Sequence, residues 1–147
     1  MALLCYLRQL LPFGVRVSLV ADSEFGRSLL IAKLCEWGWD YALRQPGDHL
    51  LWWQGNGQWQ RLDSLLDCPG CRWLGWTWLT QAHEQLTHVV VYWRGGEKQP
   101  WFLATNQITV RAAVRSYRRR MWIEQMFADL KGHGFDLESS HLRSFLR

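Results

Sequence analysis

Residues 15–44 constrain the fold most. Val15-Arg-Val-Ser-Leu-Val-Ala21 is rich in β-branched residues and increasingly apolar, so it reads as a buried strand ending at Asp22. After Ser23-Glu-Phe-Gly26, residues 27–37 carry a helical pattern closed by Gly38. Asp40-Tyr-Ala-Leu-Arg44 is a second strand, ended by Gln45-Pro-Gly47. Strand, helix and strand within about 30 residues predict two parallel strands joined by a right-handed crossover helix. The chain is therefore α/β. Its 147 residues, 48% hydrophobic, suit one domain with a real core. Ahead of this unit, residues 2–11 form a short amphipathic helix stopped by Pro12 and Gly14.

The texture changes after His49. Leu50-Leu-Trp-Trp53, Gln58-Trp-Gln-Arg-Leu62, Arg72-Trp-Leu-Gly-Trp-Thr-Trp-Leu79 and His88-Val-Val-Val-Tyr-Trp93 are short aromatic runs. Gly55-Asn-Gly57, Pro69-Gly70 and Gly95-Gly96 separate them, as antiparallel hairpins require. An all-β insertion of four to five strands is expected, and Trp101-Phe-Leu-Ala-Thr105 returns the chain to the main body. Eleven Trp is a heavy load. Core packing, base stacking and carbohydrate binding by exposed rings all remain open for them. Cys68-Pro-Gly-Cys71 is a lone CxxC: no second pair or finger-spaced His completes a zinc site, unless His83 or His88 comes close in space. Pro-Gly at its centre predicts a type II turn, with metal and redox roles as the alternatives.

A helix spans residues 109–131, with a bend expected near Ser116. At about 100° per residue, Tyr117, Arg120, Glu124 and Lys131 share an arc of about 60°. Trp122, Ile123, Met126, Phe127 and Leu130 fill the opposite arc and are expected to face the core. One carboxylate among an Arg, a Lys and a Tyr is usually a solvated face with a few ion pairs. Asp22, at a strand end that feeds a helix, likewise reads as a helix N-cap or as a ligand-binding group.

The pattern Tyr-x-x-Arg-x-x-x-Glu-x-x-x-x-x-x-Lys, met in full by Tyr117, Arg120, Glu124 and Lys131, resembles the signature of bacterial insertion-sequence transposases with a DDE active site. The resemblance implies an incomplete RNase H-like core carrying a β-rich insertion, divided as 1–48, 49–99 and 100–147. Asp22 and Glu124 would be catalytic and would hold Mg²⁺ (or Mn²⁺). The carboxylates of this class hold two ions about 4 Å apart for phosphodiester cleavage and strand transfer. Tyr117, Arg120 and Lys131 would grip DNA phosphates at the transposon end, with Arg118 and Arg119 as secondary candidates. Trp101, in Trp-x-Leu-x-Thr, resembles a strand motif whose Trp stacks on a flipped base, core packing being the alternative. The family's first Asp belongs on an upstream strand, yet residues 1–21 hold no Asp or Glu. A truncated transposase, unable to cut DNA alone, is the expectation. The alternatives are a non-catalytic DNA- or transposase-binding fragment and an aromatic-rich module unrelated to DNA.

Charge placement agrees with a polyanionic partner. Residues 1–110 carry 9 Lys/Arg against 9 Asp/Glu, whereas residues 111–147 carry 8 against 4, so the whole surplus lies in and beyond the helix. Expected partners are transposon-end and target DNA, and a second copy or full-length transposase. The first residues lack a basic n-region and no run is long enough to span a membrane. Four Cys without secretory context fit a reducing compartment, so a cytoplasmic, nucleoid-associated location is expected.

Overall fold

The computed structural model describes residues 1–53, 57–80 and 85–131, the side chain of Trp73 excepted. Helix α1 (Ala2–Leu10) precedes strand β1 (Ser18–Ala21), a single helical turn (Ser23–Phe25), helix α2 (Ser28–Glu36) and strand β2 (Asp40–Arg44). Then come β3 (Leu50–Trp52), β4 (Gln60–Arg61), β5 (Gly70–Leu79), β6 (Gln85–Trp93), β7 (Trp101–Thr105) and helix α3 (Val110–Asp129). His83, Gly132, Gly134 and the tail 136–147 lie outside the described residues.

All seven strands join one sheet in the order β1-β2-β7-β6-β5-β3-β4. Strands β1 and β2 pair in parallel, with Val20 opposite Ala42, as a crossover through α2 dictates. Every other pair is antiparallel. Strands from residues 1–48, 49–99 and 100–147 thus share one continuous sheet, and the aromatic runs extend it outward from β7. The protein is α/β with a mixed sheet.

Alternation along the central strands builds a core on each face. Tyr41, Leu43, Val89, Val91, Phe102 and Ala104 pack with Leu30, Ile31 and Leu34 of α2. Their neighbours Ala42, Val90 and Leu103 point the other way, against Ala113, Val114 and Tyr117 of α3. A sheet covered on both faces needs continuous apolar runs, which explains Val89-Val-Val91 and Phe102-Leu-Ala104. Helix α2 ends where Gly38 turns to φ +66°, with its amide bonded to the Cys35 carbonyl. The Asn106 side chain adds a rung beside β2, accepting from the Tyr41 amide and donating to the Trp39 carbonyl.

Four expectations are corrected. The first strand is shorter than residues 15–21 and only partly buried, because β1 is an edge strand whose neighbour is β2 alone. No type II turn forms at Pro69-Gly70: Gly70 lacks the positive φ such a turn demands and opens β5. Helix α3 runs without a break past Ser116. Its orientation is also reversed. Trp122, Ile123, Met126 and Phe127 are exposed, Trp122 by 72%, whereas Tyr117 is 2% exposed. The face bearing Tyr117 meets the sheet because Ala113 and Val114, small and apolar, share it and allow close approach. No helix among the described residues is long and apolar enough to cross a membrane.

Candidate active site and nucleic-acid interface

Asp22 follows the last residue of β1, at the carboxyl end of a parallel pair. Its side chain does two things. Oδ1 accepts from the Ser23 amide at 2.7 Å, capping the helical turn, and Oδ2 accepts from Arg120 Nη2 at 3.0 Å. The structural and functional readings of Asp22 are therefore compatible. Gly26 makes this turn fit, since a Cβ there would fall on the Arg44 carbonyl and the Gln45 side chain. The absence of a side chain at position 26 lets the Asp22 loop lie against the end of β2.

Helix α3 delivers the second carboxylate. Its N-terminus is fixed by Thr109, whose hydroxyl accepts from the Ala112 amide. From there Tyr117, Arg120 and Glu124 descend one face at helical spacing. Arg120 Nη2 also donates to Glu124 Oε1 at 2.7 Å. Residues 98 positions apart in the chain, Asp22 and Arg120, thus meet directly, and one guanidinium nitrogen holds both carboxylates. The two acceptor oxygens can be no further apart than those two contacts laid end to end. Both carboxylates remain accessible, Asp22 by 38% and Glu124 by 56%.

Beside them opens a cleft of about 640 Å³ whose walls include Arg44, Lys98, Trp101, Tyr117, Arg120 and Glu124. Trp101 stands edge-on to the Tyr117 ring at 5.1 Å and tilts against Tyr92 at 5.9 Å. It is half-buried, with its indole in contact with both the core and the cleft. The Tyr117 hydroxyl is buried and makes no hydrogen bond of good geometry among the described residues. Burial pushes its phenol above the ordinary range, Arg44 and Arg120 pull it back, and Asp22 adds to the rise. Arg44 can only donate to this oxygen, so the phenol proton has no acceptor and, beside an open cleft, is suited to an anionic oxygen.

The predicted residues thus fall into two groups. Trp101, Tyr117, Arg120 and Glu124 line the cleft, and Asp22 joins them through its contact with Arg120. Lys131 stands at the exposed end of the helix and is not among the cleft's lining residues. Arg118 reaches Tyr92, donating to its hydroxyl at 3.2 Å, and Arg119 is exposed on the far side of the helix. Sequence reasoning missed Arg44 and Lys98. Arg44 could have been found as the charged end of the strand next to the one bearing Asp22. Lys98, on the β6–β7 connection, carried no such signal.

Asp22 and Glu124 present hard carboxylate oxygens, the donors Mg²⁺ or Mn²⁺ takes, and their shared nitrogen shows that they can converge. No third His, Cys, Asp or Glu joins them among the described residues. Cys68 and Cys71 are exposed, free thiols, the first just ahead of β5 and the second on it, and partial burial raises the Cys71 thiol.

A search of curated proteins finds no match to the chain. A family profile described as the transposase DDE domain matches residues 3–147, which takes in Asp22, the cleft and all of α3. The chain belongs to the DDE transposase domain family.

Proposed function

We propose that this chain carries part of the active site of a DNA transposase. In that reading Asp22 and Glu124 are two of three carboxylates on an RNase H-like core. The observation that carries it is the convergence on Arg120 of Asp22 and Glu124, which lie far apart along the chain. When bound, Mg²⁺ or Mn²⁺ would activate the attacking oxygen and stabilise the leaving oxygen of a phosphodiester. The protein's own residues do the rest. Arg44, Lys98, Arg120 and Lys131 neutralise DNA phosphates, and the Tyr117 hydroxyl donates to a phosphate oxygen. Trp101 offers a ring for base stacking at the cleft wall. Arg120 uses only Nη2 on the two carboxylates, which leaves Nη1 and Nε for a phosphate, while a metal would compete with Nη2 for the carboxylate oxygens.

The third carboxylate would arrive on a strand added to the open side of β1, where its end would lie next to Asp22. With two such carboxylates among the described residues, the chain is expected not to cut DNA alone. The alternative, a non-catalytic DNA- or transposase-binding fragment that modulates transposition, is favoured by the lack of a third ligand among the described residues beside an otherwise assembled cleft. Mn²⁺ titration followed by electron paramagnetic resonance tests the metal assignment. Weak binding is expected, lost in both Asp22→Asn and Glu124→Gln; unchanged binding in either variant would remove that carboxylate from the site. A plasmid-nicking assay with Mg²⁺ tests completeness. Nicking by the purified chain that disappears in Asp22→Ala would show a complete active site and overturn the two-carboxylate reading.

A further inference from the structure

Helix α3 carries five arginines, and only Arg120 points to the cleft. At about 100° per residue, Arg111, Arg115, Arg118 and Arg119 lie within an arc of about 100°, centred about 150° from Tyr117. All four are exposed, and none has an ion-pair partner among the described residues; Arg118 contacts Tyr92, through its hydroxyl and its ring. The first acidic residue of the helix is Glu124, on the other face. Like charges at i,i+4, as at 111, 115 and 119, repel one another. A merely solvated face would intersperse carboxylates, as the paired Lys33 and Glu36 do on α2. Hollows flank the stripe. One of about 620 Å³ is lined by Arg111, Arg115 and Arg118, and one of about 420 Å³ by Arg115, Arg119 and Arg16. Asp40 also lines the second hollow but is paired to Arg16 at 2.8 Å.

We infer that this arginine stripe is a second DNA-binding surface, one that holds the phosphate backbone of a duplex other than the strand in the catalytic cleft. From Arg111 to Arg119 the helix rises about 12 Å, close to the width of the major groove. The stripe can therefore reach phosphates on both of its edges. Three guanidiniums without side-chain acceptors, and a fourth bonded only to the neutral Tyr92 hydroxyl, match a backbone read by charge rather than by sequence. The inference rests on the DNA-processing reading of the cleft and adds a separate holding site on the opposite side of the same helix.

Fluorescence anisotropy of a labelled random duplex of about 20 base pairs, in chelator-containing buffer across a salt series, tests it. The triple variant Arg111→Glu, Arg115→Glu, Arg119→Glu should bind at least about tenfold more weakly and lower the slope of log affinity against log salt by about 3. The triple Arg→Lys variant should keep affinity within about threefold. Should the triple Glu variant fail to fold by circular dichroism, the single Arg115→Glu variant should still lower the slope by about 1. Unchanged affinity and slope in the Glu variants would overturn the inference and leave the cleft assignment standing. Absent duplex binding by a wild-type chain that holds Mn²⁺ would do the same. A wild-type chain that binds neither Mn²⁺ nor duplex would overturn both.

Discussion

The two halves of α3 differ more than their shared helical geometry suggests. The first half, up to Arg120, buries Ala113, Val114 and Tyr117 against Ala42, Val90 and Leu103. The second half, from Met121, overhangs the sheet, and its large side chains Met121, Trp122, Ile123, Met126 and Phe127 are all exposed. Apolar content is inverted with respect to burial. The docked half is built of small residues and arginines, and the overhanging half holds most of the helix's hydrophobic bulk. Burial is thus set by where the sheet lies, and close approach favours Ala and Val over Trp and Phe at the contact.

Five substitutions can break or sharpen this contrast. The largest effect belongs to Val114→Asp, which places an unpaired charge against Val90 and Leu103. It should cost about 3 kcal/mol or more in urea denaturation, whereas Met126→Asp in the other half should stay within about 0.5 kcal/mol. Similar costs for the two would mean that the halves are not docked differently. Next comes Arg120→Ala, which removes the contact between Asp22 and Glu124. Because both carboxylates are well exposed, its cost should be about 1 kcal/mol or less and should shrink as salt rises.

Tyr117→Phe is smaller still and has an unusual sign. Deleting a buried hydroxyl that makes no hydrogen bond of good geometry, with Arg44 close to it, should leave stability unchanged or raise it by about 1 kcal/mol, while weakening phosphate contacts in the cleft. Its pH signature follows from burial, which holds the phenol above its ordinary value of 10.0. The unfolded chain loses this proton above about pH 10 and the folded chain keeps it. Stability from this source is full below that pH and is lost as the pH climbs through the folded value. Tyr117→Phe should remove part of that alkaline loss; the part due to Tyr41, also pushed up by burial, should remain. The smallest effect is Phe127→Ala, within about 0.5 kcal/mol at dilute protein concentration. A much larger loss would show that the overhang is covered in solution.

Much of this could be read from residue order. Strands β2 and β7 match the predicted Asp40–Arg44 and Trp101–Thr105 in both limits, because turn-forming residues bracket apolar runs that only a sheet covered on both faces needs. Glu124 was legible through the family signature and Asp22 through its place at a strand end, and Arg120 bonds both of them. The facing of α3 was not legible. An amphipathic pattern reports which side could be buried, and the sheet beneath α3 is too short to cover the second half. Arg44 was missed because a charged residue at a strand end is ordinary until the neighbouring strand is known. The Gly70 turn failed because a Pro-Gly pair permits a type II turn without enforcing one when the next residues are already paired in β5.

The edge position of β1 has a consequence for motion. Its backbone is tied to β2 alone, so the amides of Ser18–Ala21 that face away from β2 have no ladder partner in the sheet and should exchange with solvent far faster than those of β2, which is clasped on both sides. Asp22 therefore sits on the least restrained strand of the parallel pair, while Glu124 rides on a long continuous helix. The two carboxylates would fluctuate unequally, and any strand that zipped onto β1 would quieten Asp22 before it touched the chemistry. Slowed exchange at those amides is the earliest sign by which such a partner could be detected.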